Sequence, residues 1–182
     1  MFRLPLILAL VTLPLMAAAQ DSEMPDPDIP AEAPMTLDRL DTILNSLDEN
    51  AQTDGRVWQL TIAGTPVLII TDPDNDRMRA LSPVSDLADV QIDTLQRMMQ
   101  ANFDTALDAR YAIAKDMVWS TYIHPLRPLE KDQLISGLGQ VVNLVQTYGT
   151  LYTGGAMQFG GGDSGALQRD LIDELLKKGE EL

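Results

Sequence analysis

Apolar and polar positions follow two different periods along this chain, and the switches between them divide it into elements. Leu37, Leu40, Leu44 and Leu47 recur at helical spacing behind Thr36, which stands where an N-cap belongs. The helix is predicted to fade over 48–55, where Asn50, Asp54 and Gly55 favour a turn. From residue 57 the period becomes two. Residues 57–62 alternate as a strand, 63–65 turn the chain, and 66–71 form a continuous apolar run that suits a strand covered on both faces. Asp72, Pro73, Asp74, Asn75 and Asp76 form a turn, and 77–82 alternate again. The connections are too short for parallel crossovers, so the three strands are predicted to make an antiparallel meander.

A second helix is predicted over 86–103, with Leu87, Val90, Leu95, Met98 and Met99 on one side and Ile92 displaced. Residues 109–114 and 117–124 read as two more strands joined by a turn at Lys115 and Asp116, the second stopped by Pro125 and Pro128. A third helix over 130–148 carries Leu134, Leu138, Val141, Val145 and Tyr148 as its apolar stripe. Gly137 and Gly139 inside it each cost about 1 kcal/mol relative to Ala, which points to a close approach to the sheet. A glycine-rich linker spans 149–165. A short amphipathic helix follows over 166–178, with Leu167, Leu171 and Leu175 on one face and favourable pairs Asp173–Lys177 and Glu174–Lys178. That helix either docks on the domain or binds something else. The reading is an α+β domain over 36–148: a five-stranded antiparallel sheet packed with helices, in the order α-β-β-β-α-β-β-α.

The N-terminal stretch belongs to a different category. Arg3 precedes an apolar run over 4–16 that Pro5 and Pro14 interrupt, and Ala17, Ala18 and Ala19 supply small residues before Gln20. This is the pattern of a secretory signal over 1–19 cleaved after Ala19, too short to be a stable membrane span. The expectation is a protein of the periplasm or the extracellular space. Residues 20–35 then interleave Pro25, Pro27, Pro30 and Pro34 with Asp21, Glu23, Asp26, Asp28 and Glu32, the composition of a stiff, solvated tether.

Composition narrows the chemistry. The 182 residues hold 27 Asp and Glu against 13 Lys and Arg, for a net charge of -14. A chain this acidic lacks the basic face that a nucleic acid requires. The absence of Cys removes disulfides, thiolate metal sites and cysteine nucleophiles, and one His cannot build a histidine-only zinc site. Gly162, Asp163, Ser164 and Gly165 resemble a serine-protease nucleophile motif, with His124 as the only histidine to act as base. Ala166 replaces the second glycine of that motif, and a flexible linker explains the same residues. Asp72, Asp74 and Asp76 sit at alternate positions as in a calcium loop, but Arg77 and Pro83 occupy the places of its glycine and its bidentate glutamate, which leaves a polar hairpin turn. His124 ends its strand beside Pro125, and a structural hydrogen bond accounts for it better than catalysis does, since the sequence supplies no specific partner.

No catalytic, cofactor-binding or metal-binding residue is assigned on this basis. The candidates for contact with a partner are Met98, Met99, Trp119 and Tyr122. The two methionines are adjacent on a helix and cannot share one core-facing side. The two aromatic residues face opposite sides of their strand, which leaves one of them free for exposure. Trp58 and Tyr111 read as core.

Residues 95–148 also carry a family resemblance. A helix ends in Met99, Gln100, Ala101, Asn102 and Phe103. The strand phrase Ala109, Arg110, Tyr111, Ala112 and Ile113 follows. Next come a tight turn, Val118, Trp119, Ser120, Thr121 and Tyr122, and a Pro-Leu-Arg-Pro-Leu run at 125–129 leading into an amphipathic helix. The pattern resembles the type III secretion chaperone-like fold, in particular the YbjN-type (bacterial sensory transduction regulator) domains. The resemblance implies a non-enzymatic, polypeptide-binding or regulatory role, with a homodimer as the usual assembly and no fixed ligand motif to carry over. A predicted export signal departs from the cytosolic chaperones of that fold. Two other function classes are a serine hydrolase using Ser164 and His124, and a structural envelope component spaced by its tether.

Overall fold

The structure is a computed structural model that describes residues 32–104, 107–148 and 165–180. The predicted signal, most of the tether and most of the glycine-rich linker lie outside these residues. Helix α1, Leu37–Leu47, buries Leu40, Ile43, Leu44 and Leu47, and the Thr36 hydroxyl accepts from the Arg39 N–H at 3.2 Å as its N-cap. Strands β1 (Gln52–Thr53), β2 (Val57–Ile62), β3 (Thr65–Asp72) and β4 (Arg77–Asp86) follow. Helix α2, Ile92–Asp104, leads to β5 (Arg110–Ala114) and β6 (Met117–His124). Helices α3, Lys131–Thr147, and α4, Gly165–Glu180, complete the order. The six strands make one antiparallel open sheet in the order β1-β2-β3-β4-β6-β5, and the four helices pack against it in an α+β arrangement.

Turn chemistry sets the register. The β2–β3 hairpin closes through Ala63 and Gly64 (φ 47 and 76), and the β5–β6 hairpin through Lys115 and Asp116 (φ 53 and 58). Two successive left-handed residues give the backbone twist that two-residue hairpins favour. In the β3–β4 turn each carboxylate has its own task. Asp72 accepts from the Asn75 N–H at 3.2 Å and its side-chain amide at 2.8 Å, and Asp74 lies 3.5 Å from Arg56. Asp76 (φ 52) takes the Arg127 N–H on its carboxylate at 2.7 Å and the Leu126 N–H on its carbonyl at 3.3 Å. Arg127 in turn accepts from the Met35 N–H at 3.0 Å, so the turn, the 125–129 loop and the entry to α1 are tied together.

One face of the sheet is buried. Trp58, Leu60, Ile62, Val67, Ile69, Met78, Ala80, Val118 and Tyr122 project from it into the core. Trp58 is fixed there by a 2.8 Å bond from its indole N–H to Asp41 of α1. Helix α3 lies on this face, and α4 packs on the other side of α3, also touching α1. Buried Leu134, Leu138 and Val141 are joined by buried Ile135, Val142 and Leu144, because this helix is enclosed from two sides. Its two glycines lie about 200° apart around the helix axis. A Cβ on Gly137 would fall 2.5 Å from Cε1 of the Tyr122 ring, and one on Gly139 would fall 2.7 Å from Ile172 of α4. Gly137 thus admits the sheet, as the sequence suggests, whereas Gly139 admits a helix.

Other expectations change in the same way. The sheet has six strands because Gln52–Thr53 pairs with β2, a contact too short to leave a periodic pattern. Strand β3 is covered on one face only: Val67 and Ile69 are buried, Leu68 is half-buried and Ile70 is 37% exposed. Helix α2 begins at Ile92 instead of residue 86. The Leu87 N–H donates to the Asp116 carbonyl at 2.9 Å, pinning a 3-10 turn over Leu87–Asp89 to the β5–β6 hairpin, and Val90 is extended. In the α3 stripe, Val145 is half-buried and Tyr148 is exposed. The last helix docks: Leu175 is buried, Leu171 is half-buried, and Lys178 lies 3.9 Å from Glu174.

Two stability measurements follow. Gly137→Ala gains about 1 kcal/mol of helix propensity but drives a methyl into a rigid ring, at a cost of about 1–3 kcal/mol. Denaturant unfolding should show a net loss; a net gain would mean that α3 stands farther from the sheet. Asp48 joins the end of α1 to β2, accepting from the Thr61 N–H at 2.8 Å and the Asn50 N–H at 2.9 Å. These bonds, Thr61 first, hold its carboxyl below the usual carboxylate range. A lowered folded value contributes stability above the unfolded pKa of about 3.9 and loses it as pH falls through the folded value. Asp48→Asn is expected to cost about 1 kcal/mol at pH 7, with the gap to wild type closing below about pH 3.9.

Candidate functional site

Two surfaces gather side chains that folding does not consume. The first lies on α2 and the edge strand β5. Ile92, Met99 and Phe103 fall within an arc of about 40° on α2 at 100° per residue, and their exposures are 67%, 46% and 78%. The opposite side of the helix carries buried Met98 and Ala101. Asn102 fastens α2 to the strand edge: its amide nitrogen donates to the Tyr111 carbonyl at 3.1 Å, and its oxygen accepts from the Tyr111 N–H at 2.7 Å. This pairing occupies edge groups that a foreign strand would otherwise use. Ile113 shares a face of β5 with Tyr111 and is 51% exposed.

The second is a cavity of about 600 Å³ at a corner of the sheet, where β5 stops short of the end of β6 and the first turn of α3 approaches. The walls come from Asp108 before β5, Tyr122 and His124 on β6, Asp132 and Ser136 on α3, and Leu176 on α4. The rings of Tyr122 and His124 stack with centroids 5.9 Å apart at 22°. His124 Nδ1 is 2.8 Å from the Pro125 carbonyl, the structural bond that a strand-end histidine makes. Asp108 is placed by Gln140 of α3, whose side-chain oxygen accepts from the Asp108 and Ala109 N–H groups at 2.7 and 3.0 Å and whose nitrogen donates back to the Asp108 carboxylate at 3.2 Å. Burial, and then the Asp108 charge, push the Tyr122 phenol up to about 12.

The four partner-contact candidates separate. Met99 is exposed and Met98 is fully buried, because adjacent helical residues point about 100° apart. Tyr122 is 4% exposed, on the helix-covered face, and lines the cavity. Trp119 is half-buried on the uncovered face, its indole N–H donating to the Ala114 carbonyl at 2.9 Å. That face also carries half-buried Leu68 and Leu81, exposed Ile70 and Ile123, and Arg77 and Arg79. Ser164 lies outside the described residues, so its distance from His124 is not part of the geometry. Among the described residues no group of three His, Asp or Glu side chains is placed to hold a metal ion, and no helix is long and apolar enough to cross a membrane.

Sequence reading missed Phe103 and Ile92 as exposed residues, although Ile92 stood apart from the apolar side assigned to its helix. It also missed Asp108, Asp132 and Gln140, which meet only through tertiary structure. No protein-family model matches the chain, and no curated protein matches it with significant similarity.

Tyr122 supplies a measurable signature. A phenol raised in the folded state contributes stability that is present below the unfolded pKa of about 10 and lost as pH rises toward the folded value. In a spectrophotometric titration the Tyr122 phenol should ionise only near 12, and Tyr122→Phe should remove its contribution to the late component. A titration that Tyr122→Phe leaves unchanged would place the late tyrosine elsewhere.

Proposed function

We propose that this protein is an exported, non-enzymatic polypeptide-binding protein with a type III secretion chaperone-like architecture of the YbjN type. The observation that carries the reading is the exposure of the apolar side chains Ile92, Met99, Phe103 and Ile113 on α2 and β5 among the described residues. A helix that buries one side and exposes an isoleucine, a methionine and a phenylalanine on another has an apolar face available to a partner. Methionine and phenylalanine adapt to varied apolar side chains, which suits recognition of polypeptide segments. Export rests on the signal pattern of residues 1–19, and the chaperone-like assignment on the element order and the phrases within 95–148. A homodimer through the same face is the form of this reading in which the partner is a second copy.

Phe103→Glu combined with Met99→Glu tests it. Both side chains are exposed, so the unfolding midpoint should change by no more than about 0.5 kcal/mol in stability. Cross-linking in cells should lose the polypeptides that the wild type captures, and sedimentation should show whether the lost partner is a second copy. A variant that captures the same proteins at the same yield would sink the assignment of this surface.

A further inference from the structure

The uncovered face of the sheet departs from the rule for an antiparallel sheet with one wet side, which is polar side chains along that side. It carries half-buried Leu68, Leu81, Met117 and Trp119 and exposed Ile70 and Ile123. Cross-strand pairing sets these residues side by side. Leu68 pairs with Leu81 between β3 and β4, and Arg79 stands between Ile70 of β3 and Ile123 of β6. The face shares no residue with the α2–β5 surface.

Charge changes sign along this face. Exposed Arg77 and Arg79 stand at the start of β4, and exposed Asp86 stands at its end. Asp86 pairs with Met117, which lies on the same side of β6 as Trp119 and Ile123. The register shift between Pro83 and Ser85 is what turns Asp86 to this side; unbroken alternation would leave it on the covered one. The Asp72 carboxylate, opposite Arg77, accepts from Asn75. Among the described residues, Arg77, Arg79 and Asp86 form no ion pair. At about 3.3 Å per residue, β4 puts about 30 Å between the positive and the negative end.

We infer that this face is an interface between two copies of the chain. A two-fold axis lying between the sheets, perpendicular to the strands and crossing β4 near Leu81, stacks the copies with their strands antiparallel. It carries the Arg77 and Arg79 end of each copy over the Asp86 end of the other, and it brings Leu81 and Trp119 close to their own symmetry mates. A parallel stack would set arginine against arginine. A foreign partner of one charge sign would be attracted at one end of the face and repelled at the other, whereas a second copy matches both ends. Five strands about 4.8 Å apart and about 25 Å long give a footprint of about 600 Å², of the order of the roughly 800 Å² per partner in a stable interface.

Sedimentation equilibrium of the full chain tests this, and a monomer–dimer equilibrium is expected. Arg77→Glu and, separately, Asp86→Arg should each weaken association about tenfold, because each sets like charges together at two symmetry-related contacts. The two substitutions combined should restore association to within about threefold of wild type, since the reversed charges then meet across the interface. Both positions are exposed, so the unfolding midpoint should stay within about 0.5 kcal/mol of wild type. Phe103→Glu combined with Met99→Glu, on the α2–β5 surface, should leave association unchanged. The inference is overturned if the wild type is monomeric at about 100 μM, if either single reversal associates as wild type does, if the combined reversal is no stronger than the single ones, or if the α2 variant abolishes association.

Discussion

The close approach of α3 to the sheet is the constraint on which the rest of the domain depends. Gly137 has no side chain, so the Tyr122 ring can lie against the helix and the inner layer closes. Two residues later Gly139 does the same for Ile172, and α4 can seat on the outside. A helix pressed from both sides buries more than an apolar stripe: Ile135, Leu138, Val141, Val142 and Leu144 occupy one half of α3, and Gln140, Asn143 and Thr147 are buried on the other. The same tyrosine lines the corner cavity.

Helix coverage is one-sided, and this explains where free chemistry remains. The buried face is spent on the core. The uncovered face keeps Leu68, Leu81 and Trp119 half-buried among their own neighbours, with Arg77 and Arg79 beside them. At the β5 edge Asn102 fills the backbone groups of Tyr111, so the exposed apolar residues of α2 stand beside a strand that is locally blocked against pairing. The α2 surface therefore offers side-chain contact more than strand addition.

The hairpins and the long helices were legible in the sequence because their signals are local. Alternation marked β2 and β4, β propensity marked β6, Lys115 and Asp116 marked a turn, and leucine spacing marked α1. What could not be read depends on layers. Continuous apolar character in β3 suggested two covered faces, yet Leu68 and Ile70 lie on a face without helices. The start of α2 was displaced by one bond from Leu87 to the distant Asp116 carbonyl. Gly139 looked equivalent to Gly137 until the position of α4 was known. The candidate sites divide along the same line: Met98 and Met99 were separable in principle by helix geometry, but which one faced outward was not. Asp108, Asp132 and Tyr122 are brought together by three different elements and leave no shared motif.

The turn carboxylates have a consequence for the kinds of stress this fold can meet. Asp48, Asp54 and Asp72 each accept from backbone N–H groups, and hydrogen bonds lower the acid's pKa in each case, for Asp72 the Asn75 side-chain amide first. They join neighbouring elements at points where other small domains place covalent bridges, and this chain contains no thiol to oxidise or disulfide to reduce. Its fasteners are consequently indifferent to redox chemistry and reversible to protons: the loops loosen in strong acid as the carboxylates protonate, and close again on neutralisation with no bond to re-form in the correct pairing.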